Sequence, residues 1–314
     1  MIRVLAVLLA LISAPVAAQY PDKPVTMLAG YPPGGLVDIV ARLVAEGMKP
    51  KFPKGITVVN RPGAAGSVAV AELARSAPDG YTIVLTPHSA LVIAAQMQDL
   101  SYKTPDDYDP FINVVAYYPM IAVRTESDYK TIEDLVEDAR KNPGKLRVGS
   151  PGEGTSSHLN LEEFMRHTGT KMIHVPFQGW GQSSPALLGG HIEALVAQPG
   201  ELRGAVEGKR MRVLVNFRPQ RLQTFSDVPT AKERGWDVAN GVWYLLAAPK
   251  GTPAAIEKQI HDAAKAVTDD PAFAKTMDAR GVDVDYRPGD KLRADLWQQY
   301  KLHTDILKRI GLIK

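Results

Sequence analysis

The residues with the most chemistry in reach lie between Val148 and Leu159, in the stretch VGSPGEGTSSHL. Ser150, Thr155, Ser156 and Ser157 supply hydroxyls, His158 an imidazole, and Gly149, Gly152 and Gly154 the turns between them. Arg147-Val148-Gly149 reads as the end of a strand, Ser150–Gly154 as a break, and Thr155-Ser156-Ser157 as a helix start. The first N–H groups of a helix have no helical partner, and the macrodipole favours negative charge there. The chemistry offered is anion binding. A plain turn leading into a capped helix accounts for the same residues, so the rest of the chain must decide.

Stronger labels fail. Gly149 and Gly154 have Walker spacing, but Thr155 stands where a phosphate-gripping Lys is needed, and no G-x-G-x-x-G or G-x-S-x-G order is present. An exported hydrolase could use Ser156 or Ser157 with His158. Neighbours on a helix point in different directions, however, so Ser157–His158 is a poor nucleophile–base pair, and no acid is placed to orient the ring. No catalytic residue is therefore assigned. The seven histidines form no ligand spacing, so neither a metal nor a cofactor is expected. Asp38 and Asp79 read as turn or cap residues, Arg61 as one half of an ion pair.

The surrounding pattern repeats the same unit. Val25–Ala29, Ile56–Val59 and Thr82–Thr86 read as strands, each followed by a glycine-rich or small-residue turn and then a helix, over Leu36–Met48, Ser67–Ala74 and the stretch after His88-Ser89-Ala90. Tyr102–Tyr108 reads as a polar surface excursion. A second βα series runs from about Met120 to Val242, and three helices (Pro253–Val267, with Thr252 as its cap, Pro271–Arg280 and Gly289–Ile310) close the chain. The alternation predicts α/β lobes, each a mixed, mostly parallel sheet flanked by helices on both faces. The expected division is residues 19–121 with 246–314 for one domain and 122–245 for a domain inserted into it, linked by two crossover strands. In such sheets ligands lie beyond the carboxyl ends of the strands. The loops Tyr31–Leu36, Arg61–Gly66, Ser150–Ser157, Gln178–Gln182 and Gln198–Gly200 gather there, and of these only Arg61 and Glu153 carry charge. This predicts a cleft that holds an anion with dipoles rather than a salt bridge.

Composition bounds the partners. The chain has 314 residues, 45% of them hydrophobic, a formal charge of +3 and no Cys. That small, dispersed charge argues against nucleic acid, and the lack of Cys excludes disulfides and thiol chemistry. Met1–Ala18 reads as a secretory signal, with Arg3 as its positive region, Val4–Ile12 as its apolar core and a cut near Ala18. The run is too short for a membrane span. The mature protein is expected in the periplasm, as a monomer.

Several segments carry a resemblance. Tyr20-Pro21-Asp22-Lys23-Pro24-Val25, Pro32-Pro33-Gly34-Gly35 with Asp38 and Ala41-Arg42, Asn60–Gly66, Pro78–Thr82, Gly149–Leu159, His174–Phe177 and Asp227–Thr230 with Glu233-Arg234-Gly235 stand in order along the mature chain. Together they resemble the extracytoplasmic solute-binding proteins of tripartite tricarboxylate transporters, the Bug family. The resemblance implies a two-domain periplasmic-binding-protein (Venus flytrap) fold. It implies a small carboxylate as ligand and transient contact with membrane transporter subunits. A sensor role, with the closed form docking on a membrane kinase, would need the same closure. Carried over by position, the ligand contacts are Tyr31, Gly34, Gly35, Leu36, Ala64 and Ala65 in the first domain. In the second they are Ser150, Gly154, Thr155, Ser156 and His158. Turns at the same level add Ser89, Gln178, Trp180 and Gln198. Trp180 stands where the family has small residues; it could stack on an aromatic or long ligand, or pack between elements. Trp243 and Tyr244, on the proposed crossover, are expected to pack between domains.

Overall fold

The computed structural model describes residues 20–238 and 240–314, so the signal-peptide reading of Met1–Ala18 lies outside the described residues. The first lobe opens with β1 (Val25–Ala29), α1 (Leu36–Met48), β2 (Ile56–Asn60), α2 (Ser67–Ala74), β3 (Thr82–Pro87), α3 (His88–Val92), α4 (Ala94–Met97) and β4 (Tyr108–Tyr117). The second holds β5 (Met120–Arg124), α5 (Ile132–Lys141), β6 (Arg147–Ser150), α6 (Ser156–Thr168), β7 (Ile173–Pro176), α7 (Trp180–Leu188), β8 (Ala194–Ala197), α8 (Pro199–Glu207) and β9 (Met211–Asn216). The chain then returns to the first lobe through β10 (Val242–Pro249), α9 (Ala254–Thr268), α10 (Pro271–Asp278), β11 (Asp283–Pro288) and α11 (Gly289–Arg309).

Two sheets result, in the orders β11-β4-β10-β3-β1-β2 and β7-β6-β8-β5-β9. β1, β2 and β3 run parallel, as do β6, β7 and β8, because each pair is joined by a covering helix. The pairs made by β4, β5, β9, β10 and β11 are antiparallel, so the sheets are mixed to a greater degree than the alternation predicts. The chain changes sheet between Tyr117 and Met120, and again between Asn216 and Val242.

Both faces of both sheets are buried, which explains strands without hydrophobic alternation. On the first sheet α1, α9 and α10 cover one face, with Val40, Val44, Ile260 and Met277 against it. Helices α2, α3 and α11 cover the other, through Leu73, Leu91 and Leu296. In the second lobe α5 and α6 bring Leu135 and Phe164 to one face, α7 and α8 bring Leu187 and Leu202 to the other.

Three local expectations are corrected. Tyr102 and Tyr108 are buried, at 1% exposure each, so that segment, exposed at Lys103, Asp106 and Asp107, is anchored at both ends rather than a free excursion; it leads into β4, the strand beside β10. The closing segment is not wholly helical, since β11 adds an edge strand next to β4. Thr252 does not cap α9: its hydroxyl donates to the Pro249 carbonyl, 2.8 Å away, and Pro253 occupies the cap position.

Candidate functional site

A cavity of about 690 Å³ opens between the lobes, within the range of small-molecule sites. Four helices begin on it. Gly35, Leu36 and Val37 come from the start of α1, and Thr155, Ser156 and Ser157 from that of α6. Gly179, Trp180 and Gly181 start α7, and Gln198, Gly200 and Glu201 start α8. Their first N–H groups precede any intrahelical partner, and the four dipoles turn positive ends toward one volume.

Local bonding fixes these starts. Asp38 accepts from Gly34 N–H and the Asn60 amide, each at 3.0 Å, and pairs with Arg42 at 2.8 Å. Burial opposes the Asp38 charge, but these donors outweigh it and hold the carboxyl below its ordinary range. Asn60 also donates to the Tyr31 carbonyl, so the Tyr31–Leu36 loop is tied to β2. In the second lobe Thr155 caps α6: its Oγ1 accepts from His158 N–H at 3.3 Å and donates to the Gly152 carbonyl at 2.8 Å. The cap consumes the Thr155 hydroxyl, and Ser156 and Ser157, whose N–H groups precede any intrahelical partner, line the cavity.

Of the residues expected from sequence, Tyr31, Gly34, Gly35, Leu36, Ser89, Thr155, Ser156, Gln178, Trp180 and Gln198 line the cavity. Ala64, Ala65, Ser150, Gly154 and His158 do not. Ala64 and Ala65 follow β2, the edge strand farthest from β10, and both adopt the left-handed region, at φ 47° and 56°. Their loop supports the site from behind: a Cβ on Gly66 would lie 3.2 Å from the Tyr31 ring. Ser150 is fully buried beneath the turn, accepting from Gly152 N–H and lying 2.7 Å from His174 Nε2. Gly154 meets the first lobe instead, since a Cβ there would lie 2.6 Å from Met97 Sδ. His158 accepts the Gly154 N–H on Nδ1, sits 3.4 Å from Glu162 of the same helix on Nε2 and stacks on His174 at 3.7 Å, so both ring nitrogens face its own lobe. Arg61 is paired with Glu72 on the surface.

Sequence reasoning missed Tyr117, Tyr244, Glu201 and Arg280, which also line the cavity, and placed Ser157 in the loop but not among the contacts. Trp243 packs against His88 of its own lobe rather than between the domains, and Tyr244, next on the strand, turns the other way into the site. Period-2 alternation along β10 was the available signal. Glu201 and Arg280 are the charged residues of the lining. Burial pushes the Glu201 carboxyl up to about 7 against the Gln198 side-chain and backbone N–H groups, which lower it. Burial raises the Tyr31 and Tyr117 hydroxyls, and the Glu201 charge raises both further.

The serine–histidine contacts do not support nucleophilic chemistry. Ser156 Oγ lies 3.4 Å from His88 Nε2, across the lobes. His88 Nδ1 accepts the Trp243 N–H at 3.2 Å, so the neutral ring carries its proton on Nε2 and donates to Ser156 rather than drawing a proton from it. Burial, then His303 and Arg287, hold the His88 pKa well below its ordinary value. Among the described residues no group of three or more His, Cys, Asp or Glu could hold a metal ion, and no helix is long and apolar enough to cross a membrane.

Two α/β lobes, with helix starts from both converging on one interlobe cavity, have the architecture of a two-lobed solute-binding receptor. The tripartite tricarboxylate transporter family receptor model matches residues 40–312, and the chain belongs to that family. It is 31% identical over 304 residues to a Cupriavidus necator protein of the gbd 5′ region, covering 95% of this chain and 90% of the other. The structure of the periplasmic binding protein BugD superposes with a TM-score of 0.85 at 27% identity, over 94% of this chain and all of that one. MatC from Rhodopseudomonas palustris, solved with bound malate, superposes at 0.79 and 25% identity, over 92% and 98%.

Proposed function

We propose that this protein is a periplasmic receptor that captures a small carboxylate between its lobes and delivers it to a tripartite tricarboxylate transporter. The ligand class is a di- or tricarboxylate, or an aromatic carboxylate. The observation that carries the reading is the convergence of four helix N-termini, three of them flanked by serine hydroxyls or glutamine amides, on one cavity. Oriented N–H groups hold an anion without the desolvation cost of a buried cation pair. The malate in MatC supports a carboxylate for this relative too. In this reading residues 1–18 direct export and are removed, and the lobes close as the ligand joins donors from both sides. Within the cavity Tyr31, Gly34, Gly35 and Leu36 serve from the first lobe, and Thr155, Ser156, Gln178, Trp180 and Gln198 from the second.

Isothermal titration of the purified mature protein against mono-, di-, tri- and aromatic carboxylates tests this. A binder with Kd below about 100 µM (about −5.5 kcal/mol) is expected. If no member of the panel reaches that affinity, the assignment fails.

A further inference from the structure

His88 sits behind the cavity wall, between Pro87 and Ser89, which line it. Its ring is 1% exposed, packs on Trp243 at 4.8 Å and stacks on His303 at 5.8 Å. Arg287 lies over the Trp243 ring at 3.9 Å and is itself paired with Asp285 and Asp295, so the stack is braced from β11 and α11. The Trp243 backbone N–H donates to His88 Nδ1 at 3.2 Å, which leaves the neutral ring's proton on Nε2. A backbone donor cannot be reversed, so the fold sets this polarity. Nε2 lies 3.4 Å from Ser156 Oγ, at a helix start of the other lobe. Ser156 therefore accepts from His88, and its own hydroxyl proton is left for an acceptor other than His88. Protonation of the ring would remove the acceptor for the Trp243 N–H; burial, then His303 and Arg287, oppose it.

We propose that His88 is a positioning residue for ligand capture: from the opposite lobe it orients the Ser156 hydroxyl as a donor to the bound carboxylate, through a relay from Trp243 N–H to His88 to Ser156. The inference rests on the carboxylate-receptor reading. A hydroxyl has one proton and two lone pairs, so an unguided serine can turn either toward a ligand. Accepting from His88 occupies a lone pair and directs the proton to the anion, and each bond in such a chain polarises the next. No cation is buried to achieve this, in keeping with the uncharged helix starts around it. Neighbouring contacts across the same seam do a different job. Gly154 approaches Met97, where a Cβ would lie 2.6 Å from Sδ, and Leu159 joins the apolar core of the first lobe. These set the distance between α6 and the first lobe; the His88–Ser156 bond sets the direction of a donor.

The test separates the two ring nitrogens. In His88→Asn the short amide can still accept the Trp243 N–H but falls short of Ser156. In His88→Gln the longer amide can donate where Nε2 does, while the acceptor at Nδ1 is lost. Each variant is titrated calorimetrically with the tightest wild-type binder among acetate, malate, citrate and benzoate. Affinity is expected within about twofold of wild type for His88→Gln and about fivefold or more weaker for His88→Asn. Unliganded melting temperatures should run in the other order, with His88→Asn at or above His88→Gln, because there the Trp243 contact counts. A histidine that only supports the fold would rank both readouts alike. In a Ser156→Ala background, His88→Asn should cost less than about twofold. Nitrogen NMR of the wild type with labelled histidine needs no variant: His88 Nδ1 should show the shift of a bare nitrogen and Nε2 that of a protonated one. The reverse tautomer, His88→Asn binding as tightly as His88→Gln, or an undiminished loss on Ser156→Ala overturns the relay and leaves carboxylate binding standing. If none of the acids binds the wild type with Kd below about 100 µM, the receptor reading falls and the relay with it.

Discussion

Gly200, near the start of α8, faces the backbone carbonyl of Arg280 from the other lobe so closely that a Cβ on Gly200 would lie 2.5 Å from that oxygen. Arg280 follows α10, and Gly281 beside it packs against Pro199 in the same way, with 2.5 Å left for a Cβ. Arg203 of α8 adds a hydrogen bond to the Ala279 carbonyl at 2.6 Å. The turn 279–281 is thus seated directly on the helix start that carries Gln198 and Glu201. The two lobes can meet at this edge of the cavity only because position 200 has no side chain.

A methyl group at that position is therefore a test of closure. Gly200→Ala meets backbone rather than a flexible side-chain end, so relief requires the lobes to separate. Neither lobe's own core is touched, and the unliganded melting temperature should change little. Ligand affinity should fall at least tenfold, or about 1.4 kcal/mol, because closure must be bought back from binding energy. Small-angle scattering with saturating ligand should show a larger radius of gyration than wild type. Unchanged affinity and unchanged scattering would mean that closure does not run through this contact.

Trp180 is the tryptophan that lines the cavity; among the described residues Trp236, Trp243 and Trp297 pack elsewhere. It is half-buried, at the first position of α7, and also rests on the core of the second lobe. Ligand binding should shift the intrinsic fluorescence, and Trp180→Phe should remove most of that shift while retaining a ring against the ligand. Trp180→Ala should weaken an aromatic or long-chain ligand by about 1–2 kcal/mol more than a short one, as lost stacking area predicts. Titrations in which both variants match wild type in signal and affinity would confine Trp180 to packing.

The βα units were legible because their signals are local. Helix α1, with its apolar stripe, and the strands β1 to β3 fall where the periodicity puts them. β4 was not legible. Asp109-Pro110 interrupts it, and burial on both faces removes the alternation that marks a strand. Pro110 is tolerated because it falls beyond Ile112, where pairing with β11 ends. At the site, the helix starts could be read from glycine turns and hydroxyls. Glu201 could not, since an acid in a first helical turn is normally a solvated favourable charge. The wall of the interlobe cavity leaves it only half-exposed. His158 differs in the opposite sense: its place in the first turn of a helix suggested a ligand donor, but stacking on His174 follows from the neighbouring strand β7, which no pattern around His158 announces.

Buried titratable groups set opposing pH limbs for stability. Burial, with His158 nearby, holds His174 down at about 3, and burial holds His303 down at about 4 despite the Glu163 charge; His88 is also well below its ordinary 6.5. Below pH 6.5 the unfolded chain therefore binds more protons than the folded one. The stability these rings contribute is present above 6.5 and is lost as pH falls toward their folded values, by at most about 1.4 kcal/mol per unit for each ring. Glu201 acts in reverse. Its folded value of about 7 exceeds the ordinary 4.5, so the folded chain binds the extra proton between those values and stability declines as pH rises through that window. The unliganded protein should consequently be most stable near pH 6 to 7, with the histidine limb the steeper. Urea unfolding from pH 4.5 to 8 measures both limbs. Relative to wild type, Glu201→Gln should gain on the order of 2 kcal/mol between pH 4.5 and 8, water in the cavity keeping the figure below the full shift. His303→Leu should flatten the acid limb by about one ring's share, and it also removes a buried Nδ1 that has no partner. Unfolding curves that run parallel to wild type at every pH would show that neither group changes its protonation on folding.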